Sequence, residues 1–143
     1  MTKKRFMVIL SALLLIVIVS VFLIKHFENS PKSFENLLGT NKVNITKVLM
    51  RDGSNGNYVI TDDKEKIKEI INLIDDRDYT KSANQEDRNG YRYYYDFYSG
   101  DNIKMRITGD GDVVEINNTY YGVSNPISSN SLTTWFNSLP IQK

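Results

Sequence analysis

Nineteen consecutive residues, Phe6 to Ile24 (FMVILSALLLIVIVSVFLI), carry only two polar side chains, Ser11 and Ser20. At 1.5 Å per residue a helix of this length extends roughly 28 Å, and the hydrocarbon core of a bilayer is about 30 Å thick. A helix satisfies its own backbone hydrogen bonds, so it can cross that layer without stranding polar groups. The run is apolar on every side, which a helix at the edge of a soluble core cannot be. Lys3, Lys4 and Arg5 precede it and only Lys25 closely follows. The positive-inside rule then places residues 1–5 in the cytoplasm and the chain beyond residue 25 outside. A cleaved signal peptide is the rival reading. Signal cores are shorter, about 7–15 residues, and end at an A-x-A-like site. Here a cut after Ser20 would put Ile18 at the upstream recognition position. The expected organisation is a cytoplasmic tip (1–5), an uncleaved single-pass anchor in the cell membrane (6–24), a linker (25–42) and an extracytoplasmic domain (43–143).

Residue types absent from the outer segment exclude whole chemistries. The chain has no cysteine, and its one histidine, His26, abuts the apolar run. Disulfides, thiolate metal sites, a thiol nucleophile and a histidine-based triad are therefore unavailable to the domain. Four of the 18 basic residues flank the run, leaving 14 against 17 acidic residues, a net charge near −3. Nucleic-acid binding requires a basic stripe that displaces counterions, and a mildly acidic domain with scattered charges argues against it. No cofactor and no metal are expected.

Periodicity outlines the domain. Ser33 is placed to cap one helical turn, Phe34 to Leu38, that ends at Gly39. Val43–Met50 and Tyr58–Ile60 read as strands around the turn cluster Asp52–Gly56. Ile67, Ile70, Ile71 and Ile74 form one apolar helical face, behind a capping-box pattern of Asp62 and Glu65. Asp75 to Gly90 reads as an irregular polar loop. Asp76 and Asp78 begin a calcium-loop pattern that Thr80 and Lys81 break. Tyr91, Tyr93, Tyr95 and Phe97 then share one strand face, with Ile103, Met105 and Ile107 on the next strand. These apolar faces must coincide. A three-residue loop, Gly100-Asp101-Asn102, sets Phe97 opposite Met105, Asp96 opposite Arg106 and Tyr98 opposite Lys104, with Asn102 supplying the left-handed residue.

Further on, Asp110-Gly111-Asp112 is a hairpin turn more simply than a metal-ligand pair. Val114 and Ile116 continue the buried face, which puts Glu115 near Lys104 or Arg106, and Asn117-Asn118 turns the chain into Thr119-Tyr120-Tyr121. Leu132, Trp135, Phe136 and Leu139 mark a last helix, ended by Pro140. Neighbouring strands in this order pair antiparallel, and each helix has one apolar stripe. The expected fold class is α+β: an antiparallel sheet with two helices on one face.

The sheet face away from the helices would present Tyr94 and Tyr98 with Arg92, Lys104 and Arg106. Tyrosine and arginine are frequent interface anchors, and tyrosine rings suit stacking on sugars. Set against this is an ordinary solvated sheet whose charges satisfy one another across strands. Two sequons, Asn44-Ile45-Thr46 and Asn117-Asn118-Thr119, arise readily in an Asn-rich chain. No Gly-rich phosphate loop or nucleophile elbow is present.

The strand and turn before ITDDKEKIKEIINLI (Ile60–Ile74), followed by YTKSANQED (Tyr79–Asp87) and TYYGVS (Thr119–Ser124), resemble a family of small extracytoplasmic domains of unknown function from low-GC Gram-positive bacteria. Members typically carry a lipoprotein signal or a membrane anchor. The resemblance spans residues 43–124 and implies location and fold but no activity. Lacking a lipid-attachment cysteine, this chain would use its helix as the tether. The expected function is a non-enzymatic binding or interaction module whose partner is a membrane protein or cell-wall polymer. The alternatives are a wall hydrolase using paired carboxylates, and an accessory or immunity-type protein acting through its transmembrane helix.

Overall fold

The computed structural model describes residues 3–88 and 90–143. The first two residues of the basic tip, and Asn89 in the loop before Gly90, lie outside the described residues. Helix α1 (Lys3–Glu28) takes in the apolar run together with its basic flanks, and its apolar side chains from Met7 to Ile24 are uncovered. It is the one helix among the described residues long and apolar enough to cross a membrane.

The second compact unit runs from Pro31 to Lys143. It therefore takes in residues 31–42, which the sequence suggests are linker. Helix α2 (Phe34–Leu38) shows why. Ser33 caps it through the Asn36 amide, Gly39 closes it at φ +67°, and Phe34 and Leu38 are buried in the core. The Phe34 ring meets Phe97 edge-on at 5.6 Å.

Seven strands form one antiparallel sheet: β1 (Lys47–Asp52), β2 (Tyr58–Thr61), β3 (Tyr79–Lys81), β4 (Tyr93–Ser99), β5 (Asn102–Thr108), β6 (Gly111–Ile116) and β7 (Thr119–Ile127). Their order is β2-β1-β4-β5-β6-β7-β3. Helices α3 (Lys64–Asp75) and α4 (Ser129–Asn137) pack on one face. The four isoleucines of α3, and Leu132, Trp135 and Phe136 of α4, meet Val48, Met50, Tyr95, Phe97, Met105 and Ile107 in a continuous core. Trp135 Nε1 donates to the Lys66 carbonyl at 2.9 Å and ties the helices together. The α+β class and the one-sided helix layer are as the periodicity indicates.

Local departures have identifiable causes. The first strand begins at Lys47 because a short 3₁₀ turn occupies Lys42–Asn44. The α3 cap is Asp63, which accepts from the Glu65 and Lys66 amides, in place of the expected Asp62. β3 lies within the stretch read as an irregular loop. It is three residues long and only Tyr79 is buried, too little for a period-two signal. Its pairing with β7 is prolonged by Gln85, whose side-chain amide exchanges hydrogen bonds with the Tyr120 backbone at 2.9 and 3.0 Å.

The β4–β5 hairpin holds the expected pairs Phe97–Met105 and Asp96–Arg106. Its loop is two residues, Gly100-Asp101, and Gly100 at φ +58° supplies the left-handed position expected of Asn102, which is in the strand. The shorter loop is reconciled with the core register by a bulge between Phe97 and Tyr98 that leaves Lys104 as the extra residue. Tyr98 therefore faces Ile103, not Lys104, and Ile103 is 46% exposed instead of buried. Tyr91 precedes the strand and is half-buried rather than a core residue. Glu115 lies directly opposite Thr108 and Tyr120, on the polar face as expected and diagonal to Arg106.

Asn117 and Asn118 form the two-residue turn between β6 and β7 with φ +48° and +64°, the double left-handed geometry of a type I′ hairpin. Asn117 Oδ1 also accepts from the Arg106 amide, so Asn118 is the cleaner probe of backbone strain. Asn118→Ala is expected to cost about 1 kcal/mol, and Asn118→Gly to cost nothing. Urea unfolding midpoints of the two variants test this.

Candidate functional site

Alternation along each strand sends one set of side chains to the core and the other to the opposite face. Strand pairing aligns that second set in rows. One row runs Tyr58, Arg51, Tyr94, Thr108, Glu115, Tyr120 across β2, β1, β4, β5, β6 and β7. The next runs Ile60, Leu49, Asp96, Arg106. A third holds Lys47, Tyr98 and Ile103, with bulged Lys104 alongside.

Four of the five expected site residues thus share the face. Tyr94 is 38% exposed, Tyr98 is half-buried, and Lys104 and Arg106 are exposed. Arg92 is set apart at the rim. Its Nε is 3.7 Å from Asp52 Oδ2 and its guanidinium lies 5.0 Å from the Tyr93 ring.

The structure adds residues that sequence reasoning did not assign to the site. Lys47 and Arg51 on β1, and Tyr58 and Ile60 on β2, join the face because β1 inserts between β2 and β4. The alternation Lys47, Val48, Leu49, Met50, Arg51 carried the signal, but only the strand order brings it beside Tyr94. Lys47 Nζ sits 4.4 Å over the Tyr98 ring and the Arg51 guanidinium 5.9 Å from Tyr58. These cation–π contacts hold the rings against the sheet at modest energy.

Two carboxylates are buried among the described residues, and both are engaged. Asp96 receives Arg106 Nε and Nη2, each at 2.7 Å, in a bidentate pair. That hydrogen bond, with the attraction of the carboxylate, raises the Arg106 pKa. Asp52 accepts from the Ser54 amide and hydroxyl at 2.9 and 2.6 Å and from Asn55 Nδ2 at 3.3 Å. Burial alone would raise its pKa, but the Ser54 bonds, nearby Arg92 and Asn55 outweigh it, and the net shift is downward. A general acid for glycoside hydrolysis needs the opposite shift. Asp110 of the Asp110-Gly111-Asp112 turn receives the Ser129 hydroxyl at the start of α4. Among the described residues no group of three or more His, Asp or Glu is arranged to hold a metal ion.

The depressed Asp52 pKa has a signed consequence. A carboxyl whose folded pKa lies below its unfolded value stabilises the fold above the unfolded pKa, about 3.9. That contribution is lost as pH falls through the folded value. Asp52→Asn is therefore expected to lower Tm at neutral pH, with the gap to the parent chain closing below pH of about 4. Thermal scans across pH measure it.

On the helix side, a groove of about 570 Å³ opens between α3 and α4, floored by Leu73 and Trp135 and edged by Asn72, Asn130, Ser131 and Thr134. It brings together amides and hydroxyls, with Lys66 and Glu69 at its lip already paired at 2.8 Å.

No family model matches the chain, and no curated protein and no solved structure matches it.

Proposed function

We propose that the protein is a single-pass, membrane-tethered binding module, with its N-terminus cytoplasmic and its α+β domain on the outer side of the cell membrane. The observation that carries the reading is the two-sided character of the sheet. One face is closed by α3 and α4, while the other presents Tyr94, Tyr98, Lys104, Lys47 and Arg51 on strands rather than on loops. Rings and cations fixed on a rigid sheet pay little entropy on binding. The basic residues before Phe6 support the same orientation.

The test is capture of cell-envelope fractions by the full chain in detergent. Tyr94→Ala/Tyr98→Ala/Lys104→Ala is expected to reduce capture at least tenfold, the equivalent of about 1.4 kcal/mol, with the unfolding curve retained. Undiminished capture by the triple variant would refute the assignment of this face. Exchange of α1 for an unrelated apolar helix should leave capture intact, because a passive tether contributes no contacts of its own.

A further inference from the structure

The exposed sheet face differs from the rest of the domain in charge. Residues 31–143 hold 14 basic and 16 acidic residues, a net of −2. On the face, Lys47, Arg51, Lys104 and Arg106 stand against Asp96 and Glu115, a surplus of two positive charges. The remainder of the domain is therefore near −4. Arg106 is committed to Asp96, but among the described residues no carboxylate forms an ion pair with Lys47, Arg51 or Lys104. Lys47 and Arg51 lean on the Tyr98 and Tyr58 rings, but among the described residues no carboxylate neutralises the three cations, and they can meet an anionic partner.

The face is also the place where the domain leaves large apolar groups uncovered on its strands. Ile60 is 38% exposed and Ile103 46%; Ile103 is in the row of Lys47 and Tyr98, and Ile60 is in the adjacent row with Leu49, Asp96 and Arg106. A soluble polyanion would neutralise the cations but gives the isoleucines nothing to bury against. The headgroup zone of a bilayer supplies both, since phosphate lies outermost and acyl chains begin directly beneath it. Tyrosine is enriched at that boundary for the same reason. Only Asn29 and Ser30 separate α1 from the domain. In a chain held by α1, contact with the bilayer is intramolecular, and weak forces suffice.

We infer that the β2-β1-β4-β5 face docks on anionic phospholipid headgroups, with Lys47, Arg51 and Lys104 meeting phosphate and Ile60 and Ile103 entering the acyl boundary. This rests on the binding-module reading above and names its ligand.

The absence of cysteine permits single-site labelling of the full chain. A fluorophore is placed at Ile103→Cys on the face or at Lys68→Cys on the exposed side of α3. The chain is reconstituted into vesicles of phosphatidylcholine alone or of phosphatidylcholine with phosphatidylglycerol, each containing lipid brominated near the headgroup. Quenching of the residue-103 label is expected in the anionic vesicles, weak in the neutral ones, and absent at residue 68 in both. Each of Lys47→Glu, Arg51→Glu and Lys104→Glu should reduce the docked-to-free ratio by at least fivefold, the worth of about one juxtamembrane cation. Salt that shortens the Debye length to about 3 Å should do the same. Equal quenching at residue 103 in the two vesicle types, or equal quenching at residues 103 and 68, overturns the lipid assignment. So does protection of residue 103 by added soluble polyphosphate irrespective of lipid charge. In those cases, envelope capture that still depends on Tyr94, Tyr98 and Lys104 leaves the binding-module reading standing, and loss of both results removes it too.

Discussion

Phe34→Ala is expected to lower the unfolding free energy of the domain by about 3–5 kcal/mol, the cost of removing a large aromatic side chain from a close-packed core. Against a typical total of about 5–15 kcal/mol, this leaves a domain that unfolds at low urea. The residue is fully buried, packs edge-on to Phe97, and belongs to the same cluster as Met105 and Ile70. The expectation separates two pictures of residues 31–42. In a linker, substitution of Phe34 would shift stability by no more than about 0.5 kcal/mol. In a helix that seals the core the cost is several times larger. Leu37→Ala is the internal control, since Leu37 is only partly buried against the cluster and should cost less. Urea unfolding of the full chain in detergent, followed by the fluorescence of Trp135, reads both. A Phe34→Ala midpoint equal to that of the parent would place the start of the folded unit beyond residue 34.

The sequence marks α2 by its Ser33 cap and Gly39 end, but not its place in the core, and the physical reason is length: Phe34, Leu37 and Leu38 span one turn, too short a stripe to reveal that it is covered. The same limit hides β3, where one buried tyrosine and two exposed residues make no alternation. Long regular elements are different. The four isoleucines of α3 repeat over about two turns, and the alternation from Tyr93 to Phe97 and from Met105 to Ile107 leaves one register that buries both sets. That register carried the Asp96–Arg106 pair with it. It failed two residues further on, at Tyr98. A bulge changes the partner of every residue beyond it, while the alternation on each side of it is preserved.

Legibility of the site divides in the same way. Tyr94, Tyr98, Lys104 and Arg106 follow from local alternation and the hairpin. Lys47, Arg51 and Ile60 depend on the non-local insertion of β1 between β2 and β4, which no local pattern specifies. Arg92 keeps the alternation but is drawn to Asp52, a carboxylate buried by the turn that it caps.

Arg106→Ala is expected to destabilise the domain by about 2 kcal/mol, and Asp96→Ala by less than half of that. The asymmetry follows from burial. The Asp96 side chain is 10% exposed and the Arg106 side chain 55%. Losing the guanidinium strands a carboxylate where water reaches it poorly, at the cost of a buried unsatisfied charged acceptor. Losing the carboxylate frees a guanidinium that is already half in water. The double variant Asp96→Ala/Arg106→Ala should recover most of the loss of Arg106→Ala, giving a coupling of about 1–2 kcal/mol in a double-mutant cycle. A costlier Asp96→Ala, or additive losses, would mean that the pair contributes mainly through surface attraction, which is worth about 0.2–1 kcal/mol. The cycle also decides how binding data are read. Arg106 stands on the candidate face beside Tyr98 and Lys104, so a drop in envelope capture by Arg106→Ala would have two sources, a lost contact on the face or β4 and β5 out of register. A binding loss in Arg106→Ala that the double variant restores belongs to the fold, and a loss that persists in the double variant belongs to the face.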